Sequence, residues 1–389
     1  MGFAAGMGLA ALAFIASALW LSSTAVAQAP QTDHGALWQA YAVRFINADG
    51  RVIDPMRGDM TTSEGQSYAL FFALVNNDRA RFDKLFTWTE ANLANGDLAL
   101  HLPSWSWGKD KNGKWGPLDP NSASDSDLWI AYDLIEAGRL WSDPHYASVG
   151  RKMAALIAHR EVAELPGFGP VLLPGPVGFK FPHAWILNPS YSPVFILDRL
   201  AKAEPAGPWA DVSAMVPVLL ERSAKSGFAM DWLSYTPGQG FTPALANGHT
   251  GSVATGSYDA IRVYLWAGML NDASPARASI FKALPGMNIY LQQHPAPPEK
   301  IGNTGVPLPQ DGPPGYSAAL LPYLKGLSSE SALAQQMVRL KSQLDEKSHL
   351  YGNPPAYYDQ NLILFGSGWM EQRFRYGSSG ELLVPWFRK

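Results

Sequence analysis

Three short stretches of this 389-residue chain hold acids where they could handle protons. TTSEGQSY, residues 61–68, has one acid, Glu64, among small polar residues. ASDSDLWIAY, residues 123–132, has Asp125 and Asp127, and GSYDAIRVYLW, residues 256–266, has Asp259 and Arg262. Two carboxyl groups whose surroundings push their pKa values apart form the acid and base of glycoside hydrolysis. Each acid also has an ordinary explanation. Thr61-x-x-Glu64 and Ser63-x-x-Gln66 match the capping box, Ser124-x-x-Asp127 is a near relative, and Asp259 with Arg262 has the spacing of an i, i+3 ion pair. Taken singly, each is better read as structural. An acid at a helix start also meets an energetic objection: the dipole favours the carboxylate, whereas a general acid near neutrality must keep its proton. Burial and neighbouring carboxylates oppose the dipole, and Asp125 and Asp259 would supply that repulsion on Glu64.

The elements that must bring these acids together are helices. Apolar residues recur at helical spacing from end to end, broken by Gly- and Pro-rich loops, with strand-like alternation only in pieces such as VGFKF and GFAMDWLSY. The pattern predicts about twelve helices, near 34–46, 63–76, 79–94, 125–141, 145–160, 191–203, 209–225, 257–270, 274–284, 315–325, 329–346 and 357–370. In 79–94, for example, Phe82, Leu85, Phe86 and Leu93 share one stripe and Gly96 follows as a stop. No linker divides the series, so the expectation is one all-α domain of alternating inner and outer helices, an α/α toroid. A stacked solenoid would give the same count, although no internal repeat favours it. The acids open the second, fourth and eighth segments. In a toroid, helices of one parity run parallel, so Glu64, Asp125 and Asp259 should meet at one rim.

Composition removes several alternatives. Hydrophobic residues make up 47% and charged residues 16%, with a net charge of -3, so a core is assured and no basic stripe exists for nucleic acid. Cysteine is absent, which excludes disulfides, thiolate metal sites and a cysteine nucleophile. The 8 histidines show no HExxH spacing, GPPGYS and GNTGV lack the P-loop context, and GSGWM is only a superficial GxSxG. No cofactor and no metal ion are expected. Aromatics are abundant, with 14 Trp, 15 Tyr and 17 Phe, more than packing needs on this reading. Trp105, Trp107 and Trp115 fall in the polar loop HLPSWSWGKDKNGKWGPLDP and read as a sugar-stacking platform. Trp185 and Tyr191 in FPHAWILNPSYSP, Trp232 in MDWLSY and Tyr316 in GPPGYSAALLPYL are further candidates, each with a half-buried loop anchor as the alternative. The apolar N-terminal run ending in Ala25-Val26-Ala27 fits a cleaved signal peptide over 1–27, leaving one catalytic domain over 28–389. No Lys or Arg precedes that run, which keeps an uncleaved anchor as the alternative. No later stretch has the ~20 apolar residues of a membrane span, so an exported, periplasmic or secreted protein is expected.

ASDSDLWIAYDLIEAGRLW resembles the signature of glycoside hydrolase family 8: an Ala-Ser/Thr-Asp-x-Asp opening, an Ile-Ala step and a closing Ala-x-x-x-Trp, here Ala137 to Trp141. It departs at Ser126, where a smaller residue is usual, and at Asp133, where Ser or Ala is usual. SEGQSYAL resembles the family's proton-donor segment and YDAIR the segment of its catalytic base. With NPSYSP, these motifs resemble the endo-β-1,4-glucanases that accompany bacterial cellulose synthase. The resemblance implies an (α/α)6 toroid with short β segments in its loops, an inverting mechanism and a cellulose-type substrate. It makes Glu64 the general acid and Asp259 the base, placed by Tyr258 and Arg262. Asp125 is then a nucleophile or the holder of the distorted sugar, and inversion, which needs no covalent intermediate, favours the second. The Glu64 and Asp259 carboxyls should lie ~6.5–9.5 Å apart. The implied partners are β-1,4-glucan chains and the cellulose synthase machinery, the protein itself being a monomer. A chitosanase, xylanase or lichenase of the same family, or a non-catalytic glucan-binding export factor, are the rival readings.

Overall fold

A helix that is apolar along one stripe packs one side on a core, whereas a helix apolar all round has to be enclosed. Both kinds occur here. The computed structural model describes residues 1–2, 34–248 and 253–387; apart from its first two residues, the signal peptide expected over 1–27 lies outside the described residues. Within Thr32–Lys389 the described helices are α1 His34–Phe45, α2 Ser63–Val75, α3 Arg79–Leu93, α4 Ser124–Leu140, α5 Pro144–Glu161, α6 Val194–Ala203 and α7 Trp209–Ser223. They continue with α8 Ala260–Met269, α9 Arg277–Ala283, α10 Gly286–Leu291, α11 Pro314–Gly326, α12 Glu330–Lys341 and α13 Tyr357–Met370. α3 is a stripe helix that buries Phe82, Leu85, Phe86 and Leu93, with Trp88 and Thr89 beside them. α8 is the opposite case, with all 10 residues buried, and in α4 only Arg139 escapes burial. The largely enclosed helices α2, α4, α8, α11 and α13, together with the one-sided α6, form an inner ring, and α1, α3, α5, α7, α9 and α12 surround it. The fold is an (α/α)6 toroid.

A ring of six helices leaves a wide axis, and large side chains fill it. Phe365 on α13 lies 5.2 Å from Phe71 on α2, 5.1 Å from Trp129 on α4 and 5.3 Å from Trp266 on α8, ring centroid to centroid. Phe195 on α6 closes the circle at 6.0 Å from Trp266. Burying a side chain of this size contributes on the order of 2–3 kcal/mol, against about 1 kcal/mol for a helix cap, so the axis holds the ring together. Much of the aromatic excess noted in the composition is therefore core, because the toroid needs it at its centre. Close approach of neighbouring inner helices requires small residues: a Cβ on Gly366 of α13 would overlap the Ala318 carbonyl of α11. Asp133, where the family pattern has Ser or Ala, is fully buried, and neither carboxyl oxygen finds a hydrogen-bond partner among the described residues. Burial, with a lesser push from Glu136, holds its pKa far above the ordinary range.

Connections from an inner to the next outer helix are tight, as at 76–78, 141–143 and 327–329. The returns at 94–123, 162–193 and 224–259 are long and carry most of the short strands. Thr61–Thr62 pairs antiparallel with Ser106–Lys109, in register Thr61 to Trp107, and Ser106–Lys109 pairs with Trp115–Asp119. A second three-stranded sheet joins Trp185–Leu187, Trp232–Thr236 and Gly240–Ala244, with Trp185 opposite Tyr235. Some local expectations shift. α10 is an additional helix of 6 residues, too short to leave a period. The helix expected over 329–346 stops at Lys341, and Leu344 pairs with Tyr351 in a hairpin; Leu340 and Leu344 keep helical spacing across that break, which is why the pattern ran on. In VGFKF the only pairing is an isolated bridge from Lys180 to Trp185. α6 begins at Val194, after Pro193 and a 3-10 turn at Pro189–Tyr191.

Candidate active site

Glu64 and Asp259 reach the site because other side chains terminate their helices. At the start of α2 the cap is Thr62, whose Oγ1 accepts the Gly65 N–H at 3.1 Å. Gln66, read from its spacing as half of a capping box, instead accepts the Val52 N–H at 2.6 Å and donates to Thr89 Oγ1 at 2.8 Å. Glu64 is thus free of capping work. α4 starts after Ala123 without a side-chain cap, and Asp125 Oδ1 accepts from the N–H and, at 3.2 Å, the hydroxyl of Ser126, the residue that departs from the family pattern. Asp259 stands at the N-cap position of α8, one residue earlier than the helix itself, and does not cap it either.

All three acids close on one guanidinium. Arg262 is 2% exposed; its Nη1 donates to Glu64 Oε2, to Asp125 Oδ2 at 3.1 Å and to the Tyr68 hydroxyl at 2.9 Å, while Nη2 donates to Asp259 Oδ1 at 2.6 Å and Ser190 Oγ at 3.1 Å. Glu64 and Asp259 keep 22% and 26% of their side chains accessible, so both are held from behind and open in front. Residues as far as 198 positions apart share one cation, as the parity argument predicts. Burial pushes the Glu64 carboxyl up to about 7, with Asp125 and Asp259 adding to the rise against the pull of Arg262. This is the opposition to the helix dipole that a general acid requires. Burial also raises Asp259, with Asp125 assisting and Arg262 opposing. Asp127 faces away: it is fully buried, and burial and Glu161 push it far up, while burial raises Glu161, which accepts the Ser122 hydroxyl at 2.6 Å, to about 7.

The aromatic candidates divide. Trp105 lies against the α2 entry, its carbonyl accepting the Ser63 N–H at 3.0 Å. Trp107 and Trp115 stack on each other at 5.0 Å, and the Arg51 guanidinium sits 4.5 Å and 4.6 Å from their ring centres; Trp115 remains 39% exposed. Tyr191 has the Arg262 guanidinium 5.6 Å from its ring and meets Trp232 edge-on at 5.9 Å, and Trp232 lies parallel to Phe179. Tyr258 is exposed, its hydroxyl donating to Glu299 Oε1 at 3.2 Å. Two candidates present no face to a ligand. Trp185, 7% exposed, packs against Tyr235, and Tyr316, 1% exposed, lies edge-on behind Tyr258 with its hydroxyl 3.3 Å from Ser257 Oγ. Trp185 is covered from the paired strand by Tyr235, and Tyr316, in the first turn of α11, by Tyr258 at the start of α8.

Sequence reasoning passed over Tyr68, Ser190, Arg51 and Asp231. Tyr68 had a signal, since it lies one helical turn beyond Glu64 on the same face. Asp231 had none: its Oδ1 accepts the N–H groups of Ser257 at 2.7 Å, Asp259 at 3.1 Å and Ala260 at 2.8 Å, contacts made across the return loop between α7 and α8.

Residues 9–372 match the family model of glycosyl hydrolases family 8. The chain is 46% identical over 367 residues to an endoglucanase of Xanthomonas axonopodis pv. citri (strain 306), an alignment covering 94% of this chain and 93% of that one. An endo-1,4-D-glucanase from Vibrio fischeri ES114 superposes with a TM-score of 0.83 at 38% identity, covering 90% of this chain and 99% of the other. An endo-β-1,4-glucanase from Acetobacter xylinum does so with a TM-score of 0.69 at 26% identity, covering 88% and 99%. With three acids of the signature motifs gathered on one arginine and a family match over nearly its whole length, the chain belongs to glycosyl hydrolase family 8.

Proposed function

We propose that the protein is an endo-β-1,4-glucanase that hydrolyses internal bonds of cellulose-type chains with inversion at the anomeric carbon. The observation that carries this reading is the meeting of Glu64, Asp125 and Asp259 around Arg262, with Glu64 pushed up to about 7. Glu64 protonates the leaving glycosidic oxygen. Asp259 takes a proton from a water that attacks the anomeric carbon from the opposite side of the ring, held in place by Arg262 and flanked by Tyr258. Asp125 holds the distorted sugar through the transition state. One bond forms, one breaks, and the proton given up by Glu64 is balanced by that gained at Asp259. Trp105, Trp107, Trp115, Tyr191 and Trp232 line the path of the chain as stacking surfaces. The relatives' names support the glucan assignment, and the leader-like N-terminus supports export to the periplasm or beyond, with 28–389 as the catalytic domain. No helix among the described residues is long and apolar enough to cross a membrane. Work alongside cellulose synthesis, as a monomer, completes the reading.

Reducing-sugar release from carboxymethylcellulose, chitosan, xylan and lichenan in parallel tests the substrate. Carboxymethylcellulose should be cut fastest and the first product should be the α-anomer by NMR; chitosan or xylan as the preferred substrate would overturn the assignment. The profile of kcat/KM against pH should be a bell. Glu64 works protonated, so its limb falls as pH rises through about 7, and Asp259 works ionised, so the other limb falls at acid pH. A rate unchanged from about pH 5 to about pH 9 would remove Glu64 and Asp259 from these roles.

A further inference from the structure

The first N–H groups of a helix have no partner within it, so each must be accounted for. In α8 the accounting is complete without the Asp259 side chain. The Ile261 N–H goes to the Ser257 carbonyl at 3.0 Å and the Arg262 N–H to the Asp259 carbonyl at 3.1 Å. The N–H groups of Asp259 and Ala260, with that of Ser257 before them, go to one oxygen of Asp231. An Asp at an N-cap ordinarily folds back onto the helix it begins. Asp259 does not, and its carboxyl turns to Arg262 Nη2 instead. Asp231 is itself anchored, its N–H donating to the Thr255 carbonyl at 2.9 Å. Burial and the neighbouring Asp259 raise its carboxyl to about 7, against the three N–H bonds that favour its ionised form. Tyr316 also faces it.

Resting on the reading of Asp259 as the base, we propose that Asp231 is its positioning residue: by terminating α8 from outside the helix, it releases the Asp259 side chain from capping and aims it at the attacking water. Asp231→Ala removes the acceptor from three N–H groups and lets the turn at 257–260, and Asp259 with it, drift. Asp231→Asn keeps an acceptor oxygen in the same place. A misplacement of about 1 Å costs on the order of a hundredfold in rate. The expected result for Asp231→Ala is therefore a kcat on carboxymethylcellulose lower by about a hundredfold with KM within about threefold, and for Asp231→Asn recovery of most of that loss. Wild-type kcat in Asp231→Ala would overturn the proposal, as would a joint collapse of kcat, KM and melting temperature that Asn fails to rescue. A second measurement needs no turnover. In the full-length protein the backbone amide signals of Ser257, Asp259 and Ala260 should move together in Asp231→Ala and stay near their wild-type positions in Asp231→Asn. Amides that do not respond to Asp231→Ala would equally overturn it. A wild type inactive on every polysaccharide would sink the glucanase reading, and the amide signals would still decide whether Asp231 fastens the start of α8.

Discussion

Glu64→Gln should fold as the parent does and cleave β-1,4-glucan more slowly by about 10²- to 10⁴-fold. The amide oxygen can accept from Arg262 Nη1 as the carboxylate does, and the side chain lies at an accessible helix start rather than in the core, so the melting curve should not move. What the amide cannot do is give a proton to the leaving oxygen. The loss should depend on the leaving group: a dinitrophenyl cello-oligosaccharide, whose phenolate departs without protonation, should recover most of the rate. Near-normal turnover of carboxymethylcellulose by Glu64→Gln would return Glu64 to an ordinary first-turn acid. Equal loss on both substrates would point to a displaced site instead of a missing proton.

Arg262→Met should damage both stability and activity. The guanidinium is the shared counter-charge of three carboxyl groups and is almost completely buried. Removing one partner of a buried ionic cluster costs about 3–5 kcal/mol, because the remaining charges lose their compensation without regaining water. The sign with pH follows. Arg262 holds the raised pKa values of Glu64 and Asp259 down, so without it both rise further above those of the unfolded chain, which then ionises first as pH rises. The penalty is then small below about pH 4 and grows as pH rises through the raised values. Urea titrations near pH 4.5 and pH 7.5 should show the variant much closer to wild type at the lower pH. A loss of less than about 1 kcal/mol at neutral pH would mean that water already screens the cluster.

The alternation of inner and outer helices rested on their number, which a solenoid would share, whereas Glu64, Asp125 and Asp259, their place at helix starts and the helices themselves were legible residue by residue. Each is a local property: a period of 3.6, a stop signal, an acid before an apolar run. The aromatic residues were not, because a Trp in a polar loop reads the same whether its ring meets solvent, as Trp115 partly does, or a neighbour, as Trp185 does. Phe365, Trp129 and Trp266 show the same limit in the core, since only six packed helices create an axis that calls for them. The sequence alone therefore determined which acids are candidates and on what elements they ride. Tertiary structure decided that Arg262 binds all three acids, that Thr62 and Asp231 relieve Glu64 and Asp259 of capping, and that burial pushes the Glu64 carboxyl up to about 7. Those outcomes depend on burial and on charges brought from distant parts of the chain, and electrostatic energy is set by distance in space, which the order of residues does not contain.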